Sequence, residues 1–146
     1  MEFNWILIMN IIKLSLALLL ISFLGCATTP VPTQAAREVS KSRVYNLAFL
    51  EPKEGFGQVI VKRDEGLVPV CNTSVFANGV LLTDLAPGEK VTFYLPEGEQ
   101  MVGARANGIC GGGLVEAKAS VSRSRPAVFR ISYGSASEFS IQPTTF

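Results

Sequence analysis

Past Arg43 the apolar residues of this chain fall at every second position, and no other feature limits its fold so tightly. In KVTFYLPEG, Val91, Phe93 and Leu95 share one face while Lys90, Thr92 and Tyr94 share the other. VEAKASVS sets Val115, Ala117, Ala119 and Val121 against Glu116, Lys118, Ser120 and Ser122. AVFRISY sets Ala127, Phe129, Ile131 and Tyr133 against Arg130 and Ser132, and EFSIQ repeats the pattern with Phe139 and Ile141. A helix repeats every 3.6 residues, whereas an extended chain points successive side chains to opposite faces, so these segments read as half-buried strands. YNLAFL (45–50), QVIVKRD (58–64) and VPVCNTSVFA (68–77) read as further strands.

Turn signals separate the strands: Asn78-Gly79, Pro87-Gly88, Pro96-Glu97-Gly98, Asn107-Gly108 and Gly134-Ser135. Asn-Gly is the strongest of them, because a type I′ hairpin needs positive φ at both central residues. Short strands at this spacing, seven to nine in all, predict an all-β chain folded as a single antiparallel β-sandwich, with a small barrel as the neighbouring solution.

The N-terminal residues read differently. From Leu14 to Gly25 the chain is apolar for a dozen residues, too short for the roughly 20 that a spanning helix needs. Read from Met9, MNIIKLSLALLLISFLGC has one cation, an apolar run and a small residue before Cys26, which is the build of a secretory signal; residues 1–8 are then a misassigned extension, or lengthen the n-region and add an unfavourable Glu2. FLGC (23–26) with the Thr-, Pro- and Ala-rich stretch behind it resembles the signal of bacterial lipoproteins, Phe23 standing where that signal usually has Leu. The resemblance implies cleavage between Gly25 and Cys26, a lipid on Cys26, and acylation of the new amine. Two or more chains give stable membrane anchoring where one does not. Ala27 in place of Asp implies delivery to the outer membrane, facing the periplasm. The chain then divides into a signal peptide (1–25), a lipidated flexible tether (26–43, with a short helix from Gln34 to Lys41 as an alternative) and a β-sandwich (44–146). In the tether, Arg37, Lys41 and Arg43 form a basic cluster that is either solvated or near anionic headgroups.

Residues 74–106, SVFANGVLLTDLAPGEKVTFYLPEGEQMVGARA, resemble a PEGA-type domain in their order of strands, Asn-Gly turn and Pro-Gly loop. That resemblance implies a small β-sandwich of bacterial envelope proteins without catalytic residues of its own. Export of a lipoprotein implies an oxidising compartment, and with Cys26 taken by lipid the remaining Cys71 and Cys110 form an even pair, expected as a disulfide. Two separate buried thiols, or a metal or catalytic pair, are the alternatives.

Composition excludes several chemistries. The chain has no His, which removes Ser-His-Asp and Cys-His catalysis and HExxH zinc sites together. CGGGL (110–114) and GFG (55–57) lack the Lys-Ser/Thr that follows a phosphate-binding loop, and read as wide turns. Asp64-Glu65 and Glu97 with Glu99 are the close carboxylate pairs, both beside turns and expected to be solvated. SRSRP (122–126) has no interleaved aromatics, the sequon NTS (72–74) is a three-residue match, and Phe146 sits at the end of strands too short for a spanning barrel. A net charge of +1 draws no nucleic acid over long range. No catalytic residue, metal ligand, cofactor or small-molecule substrate is expected. The expected activity is binding or structural support by a lipid-anchored envelope domain, through a protein partner. The alternatives are an inhibitor or immunity-type lipoprotein that uses loop 107–114 as a plug against an enzyme, toxin or phage, and an unrecognised hydrolase.

Overall fold

In the computed structural model, which describes Lys13 and residues 28–66, 71–110, 112–134 and 138–146, the alternating segments form strands of two packed sheets. The first sheet runs β1 (Arg37–Glu38), β5 (Glu89–Pro96), β2 (Phe56–Arg63), β8 (Ala127–Tyr133), β9 (Phe139–Pro143). The second runs β4 (Val80–Leu85), β3 (Thr73–Ala77), β6 (Gly98–Ala106), β7 (Val115–Val121). The chain changes sheet after β2, after β4, after β5 and after β7, so each sheet is assembled from distant segments.

The inward positions predicted from the period are the core. Val91, Phe93 and Leu95 of β5 and Val59 and Val61 of β2 are fully buried, and they belong to one cluster with Val75, Leu82, Leu85, Val102, Ala104 and Ala119 of the opposite sheet. Burying a side chain of this size stabilises by about 1.5–3 kcal/mol, and that outweighs any local preference in deciding which face turns inward. Asn78 (φ 48°) and Gly79 (φ 77°) make the hairpin between β3 and β4. Gly57 is required for a different reason: a Cβ there would stand 2.4 Å from the Ser122 carbonyl oxygen, where β2 passes the end of β7.

Three expectations are corrected. The sandwich is not purely antiparallel: β8 runs parallel to β2 and β1 parallel to β5. Parallel neighbours need a long crossover, and the passage through the second sheet between β2 and β8 supplies it. YNLAFL is not a strand. Leu47–Leu50 is a 3₁₀ turn, and its run of apolar residues without alternation leaves Leu47 exposed while Phe49 and Leu50 pack on the core. The expected tether is, from Thr28 onward, part of the domain. Val31, Ala36 and Val39 are buried, Arg37 N–H donates to Gly88 O (3.0 Å) and Val39 N–H to Lys90 O (2.8 Å), and the helix alternative gives way to β1 and a 3₁₀ turn at Lys41–Arg43. Three small apolar side chains and a row of backbone donors suffice to hold a segment whose composition reads as a linker.

The pairing registers give the sandwich two ends. One carries Arg63–Glu65, Cys71–Thr73, Leu85–Glu89, loop 107–114 and the β8–β9 link; the other carries Gly55, Asn78-Gly79, Glu97-Gly98 and residues 122–126. The first, which holds Cys71 and Cys110, is the cysteine end. Among the described residues no helix is long and apolar enough to cross a membrane.

Candidate functional site

The ionisable and polar groups with the most constrained surroundings gather at the cysteine end. Cys71 and Cys110 are joined by a disulfide with Cα atoms 6.0 Å apart, which ties the start of β3 to the 3₁₀ turn Gly108–Cys110. Beside it, Asn107 N–H donates to Asn72 O (3.0 Å) and Asn107 Nδ2 to Asp84 Oδ1 (2.8 Å). Asp84 also accepts from Tyr45 Oη at 2.6 Å, and Ser74 Oγ lies 2.7 Å from Asp84 Oδ1 and 2.8 Å from Asn107 Oδ1, with one proton to give to either. Burial works to raise the Asp84 pKa, but these donors and the charge of Arg43 outweigh it, and the carboxyl is held below its ordinary value. A carboxylate of that kind is a weak base, and Ser74 beside it has no imidazole to take its proton. Loop 107–114 is therefore held at Asn107 and Cys110, while Gly112, Gly113 and Leu114 are exposed.

A second group closes the same end from inside. Alternation along β2 turns Val59, Val61 and Arg63 inward, and the Arg63 guanidinium, almost wholly buried, bridges the sheets by donating to Cys71 O (2.5 Å) and Leu85 O (3.0 Å). It lies 5.7 Å from the centre of the Tyr133 ring, its Nε has no hydrogen-bond partner among the described residues, and burial lowers its pKa. Arg43 Nη2 donates to Glu89 Oε1 at 2.5 Å, and Ala86 N–H donates to Glu89 Oε2 at 2.9 Å. Burial alone raises the Glu89 pKa, and Arg43 with the Ala86 amide brings it below its ordinary value.

The outer face of the first sheet carries a row of cations in register, Lys90, Lys62 and Arg130. Each holds the molecule together. Lys90 Nζ donates to Thr33 O (2.7 Å), Lys62 Nζ to the main-chain oxygens of Val31 and Phe146, and Arg130 pairs with Asp64. Lys62 is fully buried, and that burial lowers its pKa against the raising effect of nearby Asp64. Main-chain oxygens accept from the buried ammonium, which also stands 5.0 Å from the centre of the Phe146 ring.

The other residues singled out in the sequence are scattered. Asp64 is buried and ion-paired, against its expected solvation, because the strand end turns its side chain beneath Arg130; Glu65 is exposed. Glu97 pairs with Arg123 (2.9 Å) and Glu99 accepts from Ser120 Oγ (2.7 Å), both at the surface. Of the three basic residues, Arg37 and Arg43 both flank Glu89, Arg37 also reaching Pro87 O, while Lys41 lines a groove of about 200 Å³ beside β5 with Glu38, Leu50 and Tyr94. The Glu38 carboxylate there accepts from Thr92 N–H (2.7 Å) and blunts the edge of β5. Among the described residues no group of His, Cys, Asp or Glu is placed to hold a metal ion. Gly25 and Cys26 lie outside the described residues. The Tyr45–Asp84–Ser74–Asn107 group brings together residues far apart in the chain and escaped the sequence reading, whereas the inward turn of Arg63 was available from the period of β2. Comparison with protein-family models, curated proteins and solved structures finds no match for this chain.

Proposed function

We propose that this chain is a lipid-anchored protein of the cell envelope, carried on Cys26 in the outer membrane and facing the periplasm, whose PEGA-like sandwich acts by contact with a protein partner and performs no catalysis. The Cys71–Cys110 disulfide carries the reading. Such bridges persist in oxidising compartments, and here the bridge leaves one further cysteine, at the Gly-Cys junction behind the apolar N-terminal run. Further support comes from the buried charges: Lys62, Arg63, Asp64 and Glu89 all point at backbone groups or ion-pair partners that hold segments together, and none lines the groove beside β5.

Metabolic labelling with an alkyne fatty acid tests the anchor. Label on the wild type and none on Cys26→Ser is expected, and label retained by the variant refutes it. Crosslinked envelopes test the mode of action. One stoichiometric enzyme or toxin crosslinked through loop 107–114, which is held at Asn107 and Cys110, favours the inhibitor reading; an abundant envelope protein favours structural support.

A further inference from the structure

From the path of residues 28–39 we infer that the cysteine end of the sandwich is the membrane-proximal end, seated against the lipid headgroups with no free tether between, and that the 122–126 end is presented away from the bilayer. The inference rests on the lipidation of Cys26 proposed above and adds a surface and its partner, a phospholipid bilayer.

Thr28 is already locked to the fold. Its N–H donates to Tyr133 O (3.0 Å), its Oγ1 accepts from Tyr133 N–H (3.0 Å), and Thr29 and Glu65 exchange both backbone hydrogen bonds (2.6 and 3.1 Å). Tyr133 ends β8 and Glu65 follows the end of β2, so both attachment points lie at the cysteine end. The lock then continues without a gap through Val31 on Lys62, Thr33 on Lys90, Arg37 on Gly88 and Val39 on Lys90. Cys26 precedes Thr28 by two residues, and two residues reach at most about 7 Å. A thioether-linked lipid places Cys26 at headgroup depth, so Thr28 and Glu65 are held within about one residue-pair length of the headgroups. Eight-residue β2 then carries the chain about 25 Å to the opposite end. A linker of the same composition but unpinned would let the domain tumble; this one fixes which end meets the membrane and which loops a periplasmic partner reaches first.

The chain's one tryptophan is Trp5, which signal cleavage removes, so the mature protein accepts single reporters. Glu65→Trp and Asn72→Trp mark the cysteine end and Arg125→Trp the other; all three positions are exposed. Each exported, full-length variant is purified and placed in phosphatidylethanolamine/phosphatidylglycerol vesicles containing headgroup spin-labelled phosphatidylcholine. Both cysteine-end reporters are expected to lose most of their emission and Arg125→Trp to keep it. Insertion of ten Gly/Ser residues between Ala27 and Thr28, a linker of about 17 Å root-mean-square length, should abolish the loss at Glu65→Trp. Any other ranking of the three reporters, or quenching that survives the insertion, overturns the placement. The mass of the N-terminal peptide separates the two readings: acyl chains present with the wrong ranking sinks the placement alone, and acyl chains absent sinks the anchor as well.

Discussion

Reduction of the Cys71–Cys110 bridge tests how this sandwich is stabilised. The two cysteines are 39 residues apart, and closing a loop of that size removes denatured-state entropy equivalent to about 4 kcal/mol at 25 °C. For a domain whose total stability is on the order of 5–15 kcal/mol, that is a large share. The folded state loses little directly when the bridge opens, because Asn107 remains bonded to Asn72 and Asp84, and Arg63 still donates to Cys71 O. The effect should therefore appear as a shift of the whole unfolding transition. With a urea slope of about 1–3 kcal/mol/M, the midpoint should fall by roughly 1.3–4 M when the bridge is reduced, or when Cys71 and Cys110 are both replaced by Ala. Circular dichroism at 218 nm across a urea series, with and without reductant, measures it. A shift worth under about 1 kcal/mol would refute the reasoning, since the loop entropy would then already be absent from the denatured state.

Arg130→Leu should destabilise by about 3–5 kcal/mol, because it strands the buried Asp64 carboxylate, and the double variant Asp64→Leu/Arg130→Leu should recover most of that loss in the same urea titration. Gly57→Ala should cost about 1–3 kcal/mol through the clash with Ser122 O, while Gly113→Ala, where an added Cβ meets nothing within 4 Å, should lie within about 0.5 kcal/mol of wild type. Asp84 and Glu89 both have folded pKa values below their unfolded ones, so their contribution is complete above the ordinary carboxylate range and is lost as pH falls through the folded values. Thermal midpoints should accordingly drop as the pH is lowered below about 4, and Asp84→Asn should flatten that drop. Phe93→Ala should cost about 3–5 kcal/mol, read as a lower urea midpoint with an unchanged slope.

The strands that alternate cleanly were legible in full. Val91, Phe93 and Leu95 are buried on the face that the period assigns to them, and Asn78-Gly79 forms the turn its φ preferences require. Asp64 and YNLAFL were misread for one reason: a strand end and an unalternating apolar run carry no local sign of what will cover them. The segment 28–43 was misread because a linker and an edge segment share a composition of Thr, Pro, Ala and Gln. What separates them is whether Lys62 and Lys90 stand beneath to donate to the carbonyls of Val31 and Thr33.

By itself the sequence determined the strand faces, the hairpin at Asn78-Gly79 and the all-β class, because those follow from the geometry of neighbouring residues. It also carries the contiguous Gly25-Cys26 pair on which the proposed anchor rests. The tertiary structure decided the rest: that β8 lies parallel to β2, that Cys71 meets Cys110, that Asp84 collects donors from Tyr45, Ser74 and Asn107, and that the chain is pinned from Thr28. Apart from Ser74, which is 10 positions from Asp84, these pairings join residues 23 or more positions apart. Such contacts form only when two sheets bury their inner faces together, and no short-range pattern encodes which distant segments that burial makes neighbours.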